Sequence, residues 1–205
     1  MKFRTHLPKY EIGAHFLTAR TFDRAPFFGD PACARIFCEE LEVSRQKYHF
    51  CVFAFVVMPD HIHLLLWWDR DQHPDLTISK VAWAVKGLTA KRVVKYLQDR
   101  VDEGTAFVYP ELRQVIEPQD LPHRRNWRYK VWQQGAGYDF NAYTPAKLSQ
   151  KVAYIHANPV RAGLASTPQA YPWSSAANYA AGGVGESIAF AHPHPVQITP
   201  YTEML

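Results

Sequence analysis

Two apolar, β-rich runs stand back to back in the chain, "YHFCVFAFVVM" (48–58) and "HIHLLLWW" (61–68), with only Pro59 and Asp60 between them. Runs joined by turn chemistry of this kind read as a hairpin, and runs that are apolar on both faces belong in the middle of a sheet. The hairpin therefore needs cover on both sides. Its second run also carries His61 and His63. Side chains alternate along a strand, so these two imidazoles share a face with Leu65, while Ile62, Leu64 and Leu66 share the other, and their backbones are about 6.6 Å apart. A buried pair of imidazoles needs partners for its ring nitrogens, from an ion, a ligand or polar neighbours. The spacing lets both converge on one metal, to which they supply two ligands, and a working site needs more.

The cover is readable on either side of the hairpin. "HFLTART" (15–21) reads as a first strand, and Asp30-Pro31 is an N-cap with proline at the first helical position, opening a helix to about Gln46. From Thr77 to about Asp99, Ile78, Val81, Val85 and Leu88 recur at helical spacing. Residues 101–145 show no clean period apart from a short strand candidate near "YKVWQQ", and a third helix is expected from Pro145 to about Ala157. The chain after Tyr179 reads as a loosely ordered tail, "AHPHP" within it as a solvated loop. No Gly/Ser- or Pro-rich linker divides the 205 residues, so one domain (1–180) with a tail (181–205) is expected. Strands interleaved with helices but joined by a hairpin give the α+β class, with helices packed on an antiparallel sheet.

The longest apolar run, Cys51 to Met58, is too short to cross a bilayer, and the basic N-terminus has no apolar core behind it. Cys33, Cys38 and Cys51 cannot all pair, which argues for reduced thiols and a cytoplasmic location. The balance of 23 Lys+Arg against 19 Asp+Glu is only mildly basic, so its distribution matters more. "KGLTAKRVVK" (86–95) holds cations and no acid, and "HRRNWRYKVW" (123–132) interleaves cations with aromatics. Guanidinium and ammonium groups hold phosphates while aromatic faces stack unpaired bases, so the two stretches together point to nucleic acid. Lys86, Lys91, Arg92, Arg124, Arg125 and Arg128 are the expected phosphate contacts. Trp127, Trp132 and Gln133 are the candidates for contacts with bases, with a core position for Trp132 the open alternative.

On a helical wheel, Leu148, Val152 and Ile155 of "PAKLSQKVAYIHANP" fall within about 60° of one another and define a core-facing stripe. Tyr154 lies about 130° from its centre, grouped with Lys147, Lys151 and Asn158. A phenol, two lysines and an amide on one polar face suit an anionic substrate. A free phenol, with a pKa near 10, is a weak nucleophile at neutral pH and needs an activated electrophile, which a metal-polarised phosphate supplies.

"FVVMPDHIHLLL", "YIHANPVRAGL" and "YPWSSAANY", in that order and spanning roughly residues 18–179, resemble the REP-associated tyrosine transposases, relatives of the IS200/IS605 transposases within the HUH endonuclease superfamily. The resemblance implies a ferredoxin-like antiparallel sheet, His61 and His63 as metal ligands, Tyr154 as nucleophile and Asn158 as the amide-bearing third ligand. It implies Mg²⁺ or Mn²⁺ as the ion, which the ligand types alone would not select. It further implies that "VKGLTAKRVVK" faces DNA, with Lys151 among the DNA contacts, and that the partner is single-stranded or hairpin DNA. "VWQQGAGYDFNAYTP" departs from the family's shorter turn. The expected activity is single-strand nicking and joining through a 5′-phosphotyrosine link. The alternatives are a domesticated hairpin-binding protein that no longer cuts and a metal-dependent hydrolase using water. Should Tyr154 not be the nucleophile, Tyr138 and Tyr143 stand next in line. Monomer and homodimer stay equally open.

Overall fold

The computed structural model describes residues 13–110, 112, 130–135, 137–142, 144–180 and 193–204. In chain order these form β1 (Ala14–Arg20), α1 (Pro31–Tyr48), β2 (Cys51–Met58), β3 (His61–Trp67), α2 (Ile78–Asp102), β4 (Tyr138–Ala142), α3 (Pro145–Arg161) and the short α4 (Ala176–Ala180). The four strands make one antiparallel sheet in the order β2-β3-β1-β4, the ferredoxin-like arrangement.

Local chemistry fixes the ends of these elements. Asp30 caps α1 by accepting the amide of Ala32, with Pro31 at the first helical position. The helix runs to Tyr48, two residues beyond the expected end, and closes on His49 in the left-handed region at φ 55. That left-handed residue takes Tyr48 and His49 out of the apolar run, so β2 begins only at Cys51. Thr77 caps α2 through the amide of Lys80, and Thr144 caps α3 through that of Lys147. Helix α3 continues past the expected end at Ala157 and through Pro159 to Arg161. A proline this close to the C-terminus removes one helical hydrogen bond, and Gly163, at φ +70, then ends the helix.

One face of the sheet carries Ala54, Val56, His63, Leu65, Phe16 and Phe140, and α3 lies over it. On the other face Leu17, Ala19, Ile62, Leu64 and Leu66 are buried, with α1 and α2 packed together as its cover. Arg92 of α2 binds Glu39 and Glu40 of α1 and ties the two helices together.

Two segments differ from expectation. Of "YKVWQQ", the described residues 130–134 give an isolated bridge between Thr21 and Trp132, while the edge strand β4 forms in the following "YDFNA". In place of the expected tail, residues 193–202 pack on the domain. His194 and Val196 are buried, the Thr199 amide donates to the Val52 carbonyl, and that of Gln197 donates to Glu42. Together with Trp173–Ser175, whose backbone bonds Phe55 and Val57, this segment covers the outer edge of β2. Residues 181–192 lie outside the described part. No helix among the described residues is long and apolar enough to cross a membrane.

Candidate active site

β3 brings His61 and His63 onto the face beneath α3, with ring centroids 5.0 Å apart. Each ring is held through its Nδ1. His61 Nδ1 donates to the Asp60 carboxylate at 2.6 Å, whose second oxygen accepts from Arg24 at 3.1 Å. His63 Nδ1 pairs with the Thr18 hydroxyl at 2.7 Å, because β1 places Thr18 directly across from it. Burial raises the Asp60 carboxyl, but the hydrogen bonds and charges of His61 and Arg24 outweigh it and hold the group below the usual carboxylate range. Burial first, then the positive charges of His61, Arg20 and Lys151, push His63 down to about 3, so its ring is neutral at ordinary pH.

Helix α3 sets the third and fourth groups. Leu148, Val152 and Ile155 are buried as the wheel requires, which turns Tyr154 outward, 39% exposed, over the histidines. Its ring lies 5.3 Å from that of His63 and 5.8 Å from that of Phe16, both edge-on. Asn158, one turn on, donates from Nδ2 to the Tyr154 carbonyl at 2.7 Å and also hydrogen-bonds His63. Two cations flank the phenol. Lys151 Nζ is 6.0 Å and the Arg161 guanidinium carbon 5.8 Å from the ring centroid. Burial, then the charge of Lys147, lowers the Lys151 ammonium from its ordinary value.

Among the described residues no cluster of three or more His, Cys, Asp or Glu side chains could hold a metal. The donors that fit an ion are instead two imidazoles and an amide, His61, His63 and Asn158. His61 pairs through Nδ1 with Asp60 and His63 through Nδ1 with Thr18, the arrangement in which metal-binding histidines are commonly oriented with the other ring nitrogen as the ligand atom.

The expected DNA contacts divide. Lys91 is exposed, and so is Gln133, whose amide donates to the Arg20 carbonyl. Lys86 is not a surface cation: its ammonium donates to the Gly135 carbonyl at 2.8 Å, and burial pushes it down to about 8. Arg92 is committed to Glu39 and Glu40. Trp132 fills the core, 8% exposed, tilted against Phe28 at 5.3 Å and with its indole N–H on the Lys86 carbonyl, so no base can stack on it. Arg124, Arg125, Trp127, Arg128 and Tyr143 lie outside the described residues. Thr18, Asp60, Arg24 and Arg161 were missed as site groups. Asp60 directly precedes His61, and Arg161 lies two turns beyond Tyr154 on the same wheel stripe, so both were findable, whereas the pairing of Thr18 with His63 has no local signal.

Comparison with known proteins adds to this geometry. Residues 9–107 match the family described as Transposase IS200 like. A solved structure described as a REP-associated tyrosine transposase bound to a REP hairpin shares the fold at a TM-score of 0.60 and 17% identity, covering 94% of this chain and 99% of its own. A second, a candidate transposase from Deinococcus radiodurans R1, is 22% identical over 76% of this chain and 95% of its own, at a TM-score of 0.43. No curated protein matches the chain significantly.

Proposed function

We propose that this chain, whose residues 9–107 match the family described as Transposase IS200 like, is a metal-dependent enzyme that nicks and rejoins single-stranded DNA beside a hairpin. The observation that carries the reading is the meeting of a half-exposed phenol with a buried, oriented imidazole pair, 5.3 Å from ring to ring. The solved relative bound to a REP hairpin supports DNA of that shape as the partner.

A divalent ion held by His61, His63 and Asn158 would polarise the scissile phosphate and stabilise the charge that builds on it. Mg²⁺ or Mn²⁺ is the proposed ion. The residues do the rest. Tyr154 attacks phosphorus through its phenolic oxygen, forming an O–P bond as the P–O bond to the departing 3′-oxygen breaks; the phenolic proton passes to solvent and the departing oxygen takes one up to leave as a 3′-OH. Lys151 and Arg161 set positive charge beside the phenol and draw the strand toward it. The 5′-phosphotyrosyl link keeps the phosphodiester's energy, so a second 3′-OH can reverse the step and reseal the strand.

Incubating the protein with a flanked hairpin oligonucleotide and Mn²⁺ should yield a covalent adduct that resists denaturation. Tyr154→Phe should abolish that adduct while leaving hairpin affinity within about twofold, since only the nucleophilic oxygen is lost. Cleavage with no adduct would favour the water-using hydrolase, and binding with neither would favour the non-cutting binding protein.

A further inference from the structure

The face that carries the histidines also holds two exposed side chains, Arg20, whose charge acts on His63, and Tyr138. Arg20 ends β1 as the cross-strand partner of His61, and Tyr138 opens β4 as the partner of Thr18. Directly paired residues present their side chains on the same face, so Arg20 and Tyr138 are diagonal neighbours beside the imidazoles. Tyr138 is 58% exposed and Arg20 is exposed, and among the described residues neither side chain makes a hydrogen bond or ion pair.

Their positions are held by the backbone. Gly137 sits at φ +94, and a Cβ there would come within 2.2 Å of the Thr18 carbonyl oxygen, so the start of β4 is pressed directly against β1. Tyr138 is thereby fixed on its rung of the sheet. On the next rung the rings of Phe140 and Phe16 lie beneath the Lys151 ammonium, at 4.6 and 4.3 Å. From β4 to β3 is two strand spacings, about 9.5 Å. A nucleotide whose phosphate lies at the imidazoles can reach Tyr138 with its own or the neighbouring base.

We propose that Tyr138 and Arg20 form a nucleotide subsite beside the scissile phosphate, the ring stacking an unpaired base and the guanidinium holding that nucleotide's phosphate. An open aromatic face with a guanidinium beside it is the pairing that grips single strands without reading their sequence. The inference rests on the reading of Tyr154 as nucleophile only for the word scissile. It makes Tyr138 a binding residue, not a substitute nucleophile.

The test uses the full chain as Tyr154→Phe, which holds DNA uncut, and a hairpin oligonucleotide carrying 2-aminopurine at each flanking position in turn. One flank position should be quenched on binding. Adding Tyr138→Ala should restore its fluorescence and weaken binding of the flanked hairpin about ten- to a hundredfold, without weakening that of a blunt hairpin. Tyr138→Phe should keep both quenching and affinity. Arg20→Gln should flatten the dependence of log affinity on log salt by about 0.7, one single-strand phosphate contact. Unchanged quenching and affinity in Tyr138→Ala, or Tyr138→Phe behaving like Tyr138→Ala, overturns the stacking role, and an unchanged salt slope in Arg20→Gln overturns the phosphate contact. Adduct assays separate the two readings. An adduct surviving Tyr154→Phe removes the nucleophile assignment and leaves the subsite to the fluorescence result, whereas an adduct lost in Tyr138→Phe alone removes both.

Discussion

Thr18 and Asp60 touch no substrate atom in the proposed reaction, yet each holds the Nδ1 of one of the two proposed ligand histidines. Thr18→Val keeps a β-branched shape and removes only the hydroxyl, so the strand should form while His63 loses its orienting partner. Affinity for Mn²⁺, read by titration against the protein's own spectroscopic signal, should fall about ten- to a hundredfold; an unchanged value would show that burial alone orients the ring. Lys86 allows a different test. Its ammonium titrates near 8 in the fold against 10.5 in an open chain, because burial disfavours the charge. Between those values the unfolded chain binds a proton that the folded chain has released, so this group adds stability as pH rises through the window. Relative to Lys86→Met, the wild type should therefore gain between pH 8 and 10.5 in urea unfolding, and a difference independent of pH would refute the burial. At this scale the sequence put Tyr154, His61 and His63 on the faces where the structure has them, since wheel and alternation are local rules. Lys86 and Trp132 misled because a cation or an aromatic looks the same in sequence whether it faces solvent or a neighbouring loop.

Helix α2 was expected to be a row of phosphate contacts. Folding draws Lys86 to Gly135, Arg92 to Glu39 and Glu40, and Lys95 to Asp99, all of them partners beyond the reach of a charge count. Lys80 and Lys91 remain on the exposed surface of the helix with Trp83, which is 78% exposed. If DNA lies along this helix, Lys91→Gln should flatten the salt dependence of binding by nearly one unit, while Arg92→Gln should leave the slope alone and lower thermal stability by unpairing Glu40. Equal slopes in the two variants would mean that the ion pairs with α1 open on binding. Strand β4 was not legible for the opposite reason. Five residues entered through glycine carry too little alternation to signal a strand, and its register depends on Gly137 meeting β1. The hairpin of β2 and β3 was legible because its apolar runs are long and the turn between them is short.

The molecule is held closed at the β2 edge by chain that comes last. Removing residues 193–205 would uncover the Val52 carbonyl, take His194 from its edge-on contact with Phe55 at 4.8 Å, and remove buried Val196. The truncated protein should melt several degrees lower and associate through the bared strand, as seen by scattering during a thermal ramp. A melt matching the full chain would make the segment dispensable. The other side of the sheet works through α3 alone. Tyr154 and Asn158 sit one turn apart on that helix, and the Asn158 amide is tethered to the very carbonyl of the residue bearing the phenol. The proposed nucleophile and the proposed third ligand are thus set by the seating of one helix, so a substitution that shifts α3 on the sheet would displace both together.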